Sequence, residues 1–303
     1  QFAGYYTANA ERYYKDEGLN VTIEPAGPNI SPIQSVASGI NEFGIAGAEQ
    51  VISAIDNGIP IVAIAVIYRE TPEALTSKKS LNITEPKDLV GKTVGVVYGD
   101  DENLYRLMLK KNGIDESSIN EVPALTGVSQ ILTDKVDAKM AYEMNDAVLL
   151  ELEAEEVNVL KFRDFGVKVY ADTIFTTKEM IEKEPEKVRK FLRASIKGWE
   201  EAINNPEKAI NQLLEVNPSL NYDHQLGYLK GSIPIILTDE NIYRLSKIDK
   251  LCPHFHLSVQ SLDNNVLKRM NRKYTREDVF HIVDEIRKYF NNPAFTCDII
   301  VGF

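Results

Sequence analysis

The chain has 303 residues, 34 of them basic and 45 acidic, for a net charge of −11. That length supports two domains with sizeable cores, and no apolar run approaches the roughly twenty residues that a membrane-spanning helix needs. The acidity belongs to residues 1–236, which carry −12 against +1 for 237–303; phosphate recognition needs a basic face, so nucleic acid is excluded as the partner of the first part.

In chain order, residues 4–17 read as a helix with Tyr5, Tyr6, Tyr13 and Tyr14 near one side, ended by Gly18. Residues 19–23 alternate as a strand. A turn-rich loop over 25–32 follows, with Ser31 as the N-cap of a helix carrying Ile33, Val36 and Ala37. The stretch Phe43-Gly-Ile-Ala-Gly-Ala-Glu-Gln then reads as a short buried strand that stops on Gly47 and turns into a helix. Gly44 and Gly47 admit a close backbone approach, and Glu49 and Gln50 sit in the first helical turn at the carboxyl end of a sheet, where open α/β sheets bind ligands. The plain alternative is a β-α corner whose solvated Glu49 faces the helix dipole. Residues 59–68 are nearly all apolar, as in a strand buried on both faces of a parallel sheet.

A second unit starts near Gly91, with a strand over 93–98, a helix over 102–111, strands over 119–122, 137–141 and 157–160, and helices between them. Two lobes of this kind imply an intervening cleft. Residues 173–177 return to the first lobe, and a long helix over 185–203 carries Pro185 in its first turn. Its core face holds Val188, Phe191, Leu192, Ser195, Ile196 and Trp199; Trp199 is read as core, not as a ligand platform. Two amphipathic helices follow over 206–216 and 221–231.

Several segments together carry a resemblance: Gln1-Phe-Ala-Gly-Tyr-Tyr, Tyr14-Lys-Asp-Glu-Gly-Leu, the 43–50 stretch, Glu85-Pro-Lys-Asp-Leu-Val-Gly-Lys, Val94-Gly-Val-Val-Tyr-Gly and Phe191-Leu-Arg-Ala-Ser. From residue 1 to about 235 the chain resembles the substrate-binding proteins of ABC importers for thiamine pyrimidine precursors, riboflavin and alkanesulfonates. The resemblance implies an α/β, two-lobed periplasmic-binding-protein fold, with lobe 1 formed by 1–90 and 173–235 and lobe 2 by 91–172. It implies a monomer, a small-molecule ligand, ABC importer membrane subunits as partners, no cofactor, no metal and no catalysis. It places the protein in the periplasm or anchored outside the cell membrane. The tyrosine-rich version here looks most like the pyrimidine-precursor binders, in which a flat ring stacks on Tyr or Phe and its ring nitrogens and amino group meet carboxylates and amides. The implied contacts are Gln1, Phe2, Tyr5, Glu49, Gln50 and Tyr68 in the first lobe, Tyr98, Glu143 and Asn145 in the second, and Asp172 at the crossover. Each has a structural alternative: packing for Phe2 and Tyr5, a strand rim for Tyr68, a solvated loop for Glu143. The family carries a strand before the Gln-Phe-Ala-Gly-Tyr segment, so the first lobe is expected to lack it along with any export signal. Pyrimidine-synthesising relatives carry a Cys-rich motif, and no cysteine precedes Cys252.

After Ile236 the character changes. The segments Leu251-Cys-Pro-His-Phe-His-Leu-Ser-Val-Gln-Ser, Val266-Leu-Lys-Arg-Met-Asn-Arg-Lys-Tyr-Thr-Arg-Glu and Thr296-Cys-Asp-Ile-Ile-Val-Gly-Phe resemble the central part of radical-SAM tRNA methylthiotransferases, a cytoplasmic family. Complete members use S-adenosylmethionine and a [4Fe–4S] cluster held by a Cys-x3-Cys-x2-Cys run, which this chain lacks. The tail therefore reads as an inactive strand-helix-strand piece of an α/β barrel. Gln260 and Ser261 fall near the family's cofactor position, with Leu262 in place of a Gly. Lys268, Arg269, Arg272 and Lys273 read as a solvated helix end, and Cys252, His254 and His256 as a barrel strand in preference to a metal site. The chain thus looks like two unrelated fragments joined near 233–240, better explained by a joining artefact or a recent recombination than by a bifunctional protein.

Overall fold

A computed structural model describes residues 2–25, 30–99, 102–236, 254–269, 275–289 and 294–299. The chain divides into two compact units, Gln1–Leu237 and Thr238–Phe303.

The first unit holds two sheets. Its opening helix region breaks in two, α1 (Ala3–Ala10) and α2 (Tyr13–Asp16), because Arg12 adopts a left-handed backbone with φ 66°. Residues 19–25 form no strand; the alternation of Leu19, Val21 and Ile23 is instead satisfied by packing against the helical core. Helix α3 (Pro32–Ala37) starts where expected, with Ser31 Oγ accepting from the Gln34 amide at 3.3 Å. Strand β1 (Gly44–Ala46) runs into α4 (Ala48–Asp56) through Gly47. Strand β2 (Ile61–Tyr68) pairs with β8 (Ala171–Thr177), and β8 also pairs with β1, giving the order β1-β8-β2.

Both pairings are antiparallel, which corrects the parallel sheet expected around residues 59–68. Strand β8 arrives from the second sheet and so runs against its neighbours. Strand β2 is an edge of this sheet, and Ala63 is exposed. Apolar composition reports burial, not strand direction.

The second sheet has the order β5-β4-β6-β3-β7. It contains β3 (Glu73–Lys78), β4 (Thr93–Val96), β5 (Asn120–Pro123), β6 (Ala138–Tyr142) and β7 (Val157–Lys161). Strand β3 is antiparallel to β6 and β7, whereas β4 is parallel to β5 and β6. The lobe boundary expected at 90 therefore lies at the 69–72 crossover. Because β8 starts at Ala171, Asp172 belongs to the first sheet.

Helices cover both faces of each sheet, as α/β layering requires. On the first, α9 (Pro185–Asn204), α10 (Pro206–Val216) and α11 (Tyr222–Ser232) pack with α1 around Trp199, Phe191, Ile210 and Leu229. The opposite face is closed by Val36, Val51, Ala54, Ile61 and Phe175. Trp199 is 4% exposed, confirming it as core, while Ile196 is 52% exposed and falls outside the expected core face. Helices α1 and α9 cross closely: a Cβ at Gly198 would collide with the Gly4 carbonyl oxygen. The second sheet packs α5 (Glu102–Lys111) on one side, through Leu104, Tyr105, Met108 and Leu109. On the other, α6 (Ser129–Leu132) and α7 (Glu143–Leu152) bury Ile131 and Leu150 with Val136.

In the second unit, β9 (His254–Gln260) and β10 (Ala294–Ile299) form a parallel pair. Between them lie α12 (Asn264–Arg269) and α13 (Arg276–Tyr289). Helix α13 is preceded by a reciprocal cap, in which the Thr275 amide donates to Asp278 at 2.7 Å and the Asp278 amide donates to Thr275 Oγ1 at 3.2 Å. The Ser261 hydroxyl accepts from the Asp263 amide, a turn contact. Cys252, Arg272 and Lys273 lie outside the described residues, as do the side chains of His254, His256 and Gln260.

Candidate functional site

A cavity of about 150 Å³ opens where the two sheets of the first unit meet. The first sheet and its helices supply Phe2, Ile45 and Ala46 from the end of β1, Gly47 from the turn after it, Glu49 and Gln50 from α4, and Ala171 and Asp172 from β8. The second side supplies Thr71 and Glu73 from the crossover and β3, Leu104 from α5 and Tyr142 from the end of β6. Glu73 and Tyr142 are register partners in the ladder, so the pleat places both at one point of the wall.

Local sequence explains these positions. A Cβ at Gly47 would collide with the Glu49 carboxylate, so glycine there lets the acid fold back over the strand-to-helix turn. Asp172 is 3% exposed and holds φ at 48°, a left-handed conformation that Asp tolerates better than most residues. Its charge also reaches the tyrosines behind the cavity. Burial, then the Asp172 carboxylate, pushes the Tyr5 and Tyr68 hydroxyls well above their ordinary range. No lysine or arginine occurs among the described lining residues.

Of the ten residues expected to contact ligand, Phe2, Glu49, Gln50 and Asp172 line this cavity, and Gln1 lies outside the described residues. The others are elsewhere. Tyr5 is 3% exposed and meets Trp199 edge-to-face at 5.7 Å, a packing role. Tyr68 is fully buried, and its hydroxyl donates to Ser232 Oγ at 3.3 Å. Tyr98 is half-exposed beyond β4 and does not reach the lining. Glu143 is buried in a bidentate pair with Arg163, at 2.8 and 2.9 Å, and also takes Lys161 at 2.9 Å. Asn145 bonds His224 Nε2 at 3.1 Å and donates to Asp146 at 3.2 Å.

Thr71, Glu73, Leu104 and Tyr142 were not read from the sequence. A signal for the first two exists in Glu70-Thr-Pro-Glu73, a polar break directly after an apolar strand. Tyr142 directly precedes Glu143, at the end of β6.

The family model described as NMT1/THI5 like matches residues 1–209, and that of the radical SAM superfamily matches 228–303. The riboflavin-binding protein RibY of Chloroflexus aurantiacus is 31% identical over 236 residues, 76% of this chain and 65% of its own length. The formylaminopyrimidine-binding protein of Halalkalibacterium halodurans is 29% identical over 238 residues, covering 77% of this chain and 72% of that protein. In the tail, tRNA-2-methylthio-N(6)-dimethylallyladenosine synthase of Thermoanaerobacter sp. is 49% identical over 72 residues. That match covers 24% of this chain but only 15% of the synthase. The periplasmic aliphatic sulphonate binding protein SsuA of Escherichia coli shares the fold, with a TM-score of 0.65 at 16% identity over 99% of this chain and 92% of that one. The chain belongs to the NMT1/THI5-like family and carries, in addition, a short radical SAM segment resembling tRNA methylthiotransferases.

Proposed function

We propose that residues 1–236 are the solute-binding component of an ABC importer. They capture a small monocyclic heteroaromatic, a thiamine pyrimidine precursor, outside the cytoplasmic membrane and hand it to the membrane subunits without chemical change. The observation that carries this reading is the lining of the cavity, which brings Glu49, Glu73 and Asp172 together with Gln50 and the rings of Phe2 and Tyr142.

A carboxylate accepts hydrogen bonds at about four lone-pair positions, so three of them suit a ligand rich in N–H donors. An aminopyrimidine offers such donors and a flat face for the aromatic rings. A sulfonate offers only acceptors and calls for cationic or N–H donors. Size points the same way: a cavity of roughly 150 Å³ accommodates one six-membered ring, which favours a single ring over the three-ring system and ribityl chain of a flavin.

The radical SAM segment adds no chemistry to this reading. A [4Fe–4S] cluster needs three thiolates close together, and the chain's two cysteines are 45 positions apart.

Isothermal titration and thermal shift of the full chain against formylaminopyrimidine, aminohydroxymethylpyrimidine, riboflavin and an alkanesulfonate test the proposal. The pyrimidines are expected to bind unchanged and to stabilise by about 2.7 kcal/mol at a hundred times Kd. Binding of the flavin or the sulfonate alone, or conversion of the pyrimidine, would overturn it.

A further inference from the structure

Arg163 does not itself line the cavity, yet it grips the segment on which part of that lining stands. Its two terminal nitrogens bond both oxygens of Glu143 at 2.8 and 2.9 Å. The first of them also donates to the Thr71 carbonyl at 3.3 Å, and Nε lies 3.2 Å from Glu70 Oε2. The Glu143 amide in turn donates to the Pro72 carbonyl at 2.8 Å. The guanidinium thus holds Glu70 and Thr71, and the Glu143 backbone amide holds Pro72, so the pair grips the link between the two sheets. Thr71 and Glu73 form cavity wall, and the Glu73 amide donates to Thr71 Oγ1 at 3.2 Å.

We propose that Arg163 is a positioning residue for ligand binding. It fixes the 70–73 crossover so that Thr71 and Glu73 stand at the depth the ligand needs, and it does this without contacting the ligand. The proposal rests on the binding function given above. Arginine is required because four contacts radiate from one planar fork, and a lysine ammonium keeps the charge but cannot reproduce them. Arg163 is 14% exposed and Glu143 9%, so the geometry is held away from competing water.

The control is Arg106, whose bidentate pair with Glu121 joins α5 to β5 in the same sheet and touches no part of the crossover. Arg163→Lys and Arg106→Lys are compared in the full chain by two readouts. One is the Kd for formylaminopyrimidine. The other is hydrogen–deuterium exchange, without ligand, of the amides at 71–76. Arg163→Lys is expected to weaken binding by about tenfold or more and to speed exchange at 71–76, while Arg106→Lys lowers Tm and leaves both readouts unchanged. Equal behaviour of the two variants would overturn the proposal. If wild-type protein binds no pyrimidine, the binding function fails by itself, and the exchange comparison still decides whether Arg163 holds the crossover.

Discussion

The rings of Phe43 and Phe191 stack with centroids 3.9 Å apart and planes within 7° of parallel. Tyr14 stacks on Phe191 as well, at 5.6 Å and 14°, and its hydroxyl hydrogen-bonds Ser195 Oγ at 2.9 Å. This trio fastens α2 and the residue entering β1 onto α9, and the end of β1 lines the cavity. Phe191→Ala is expected to destabilise the first unit by roughly 3–5 kcal/mol, with Phe191→Leu costing less. Urea unfolding followed by the fluorescence of Trp199, the chain's one tryptophan, measures it. An alanine variant within 1 kcal/mol of wild type would contradict it.

Cavity carboxylates should separate affinity from stability. Glu49→Gln and Asp172→Asn preserve shape but remove charge. A hydrogen bond to a charged group contributes about 1.5–3 kcal/mol, so each should weaken pyrimidine binding by about tenfold to a hundredfold. Asp172→Ala should in addition lower stability, by roughly 1 kcal/mol, since alanine resists the left-handed backbone that asparagine tolerates. Calorimetry supplies the affinities and chemical denaturation the stabilities. A full-affinity Asp172→Asn protein would remove Asp172 from the site.

The β1-α4 corner was legible because its information is local: an apolar run, a glycine and a polar first turn occupy eight residues. The helices over 102–111, 185–204 and 206–216 were legible for the same reason. The crossover was not, because only the pairing of β3 with β6 and β7 shows that residue 73 has already left the first sheet. Periodicity carries no record of a strand's partner. Glu143 was misplaced for a related reason. A carboxylate at a helix start looks alike whether it meets ligand or arginine, and Arg163 lies 20 positions away.

Acid should weaken the contact between α11 and α7. Burial lowers the His224 pKa, outweighing the raising influence of Asn145 and Asp146. The folded value thus lies below the ordinary one of about 6.5. Between the two values the unfolded chain binds more protons, so the contribution is fully present above pH 6.5 and is lost as pH falls through the folded value. His224→Gln should flatten that limb of the stability–pH curve. Denaturation between pH 5 and 8 checks this, and parallel curves for variant and wild type would refute it.

The last expectation concerns a buried pair. Lys139 Nζ donates to Asp146 Oδ2 and to the Gly127 carbonyl, both at 2.6 Å, with side chains 5% and 0% exposed. Burial raises the Asp146 pKa even against the lowering effect of Lys139. Lys139→Met keeps the stem's volume but leaves the carboxylate without its cation, at a cost of about 3–5 kcal/mol near neutral pH. Without the cation the Asp146 pKa rises further. A raised carboxyl stabilises the fold below the ordinary value and loses that contribution as pH climbs through the folded one. The deficit of Lys139→Met against wild type should therefore shrink as pH falls from 7 to 5. Adding Asp146→Asn to Lys139→Met should recover part of it at pH 7, because an amide tolerates burial that a carboxylate does not. A pH-independent deficit, with no recovery in the double variant, would show that Lys139 acts through its packing and its Gly127 contact alone.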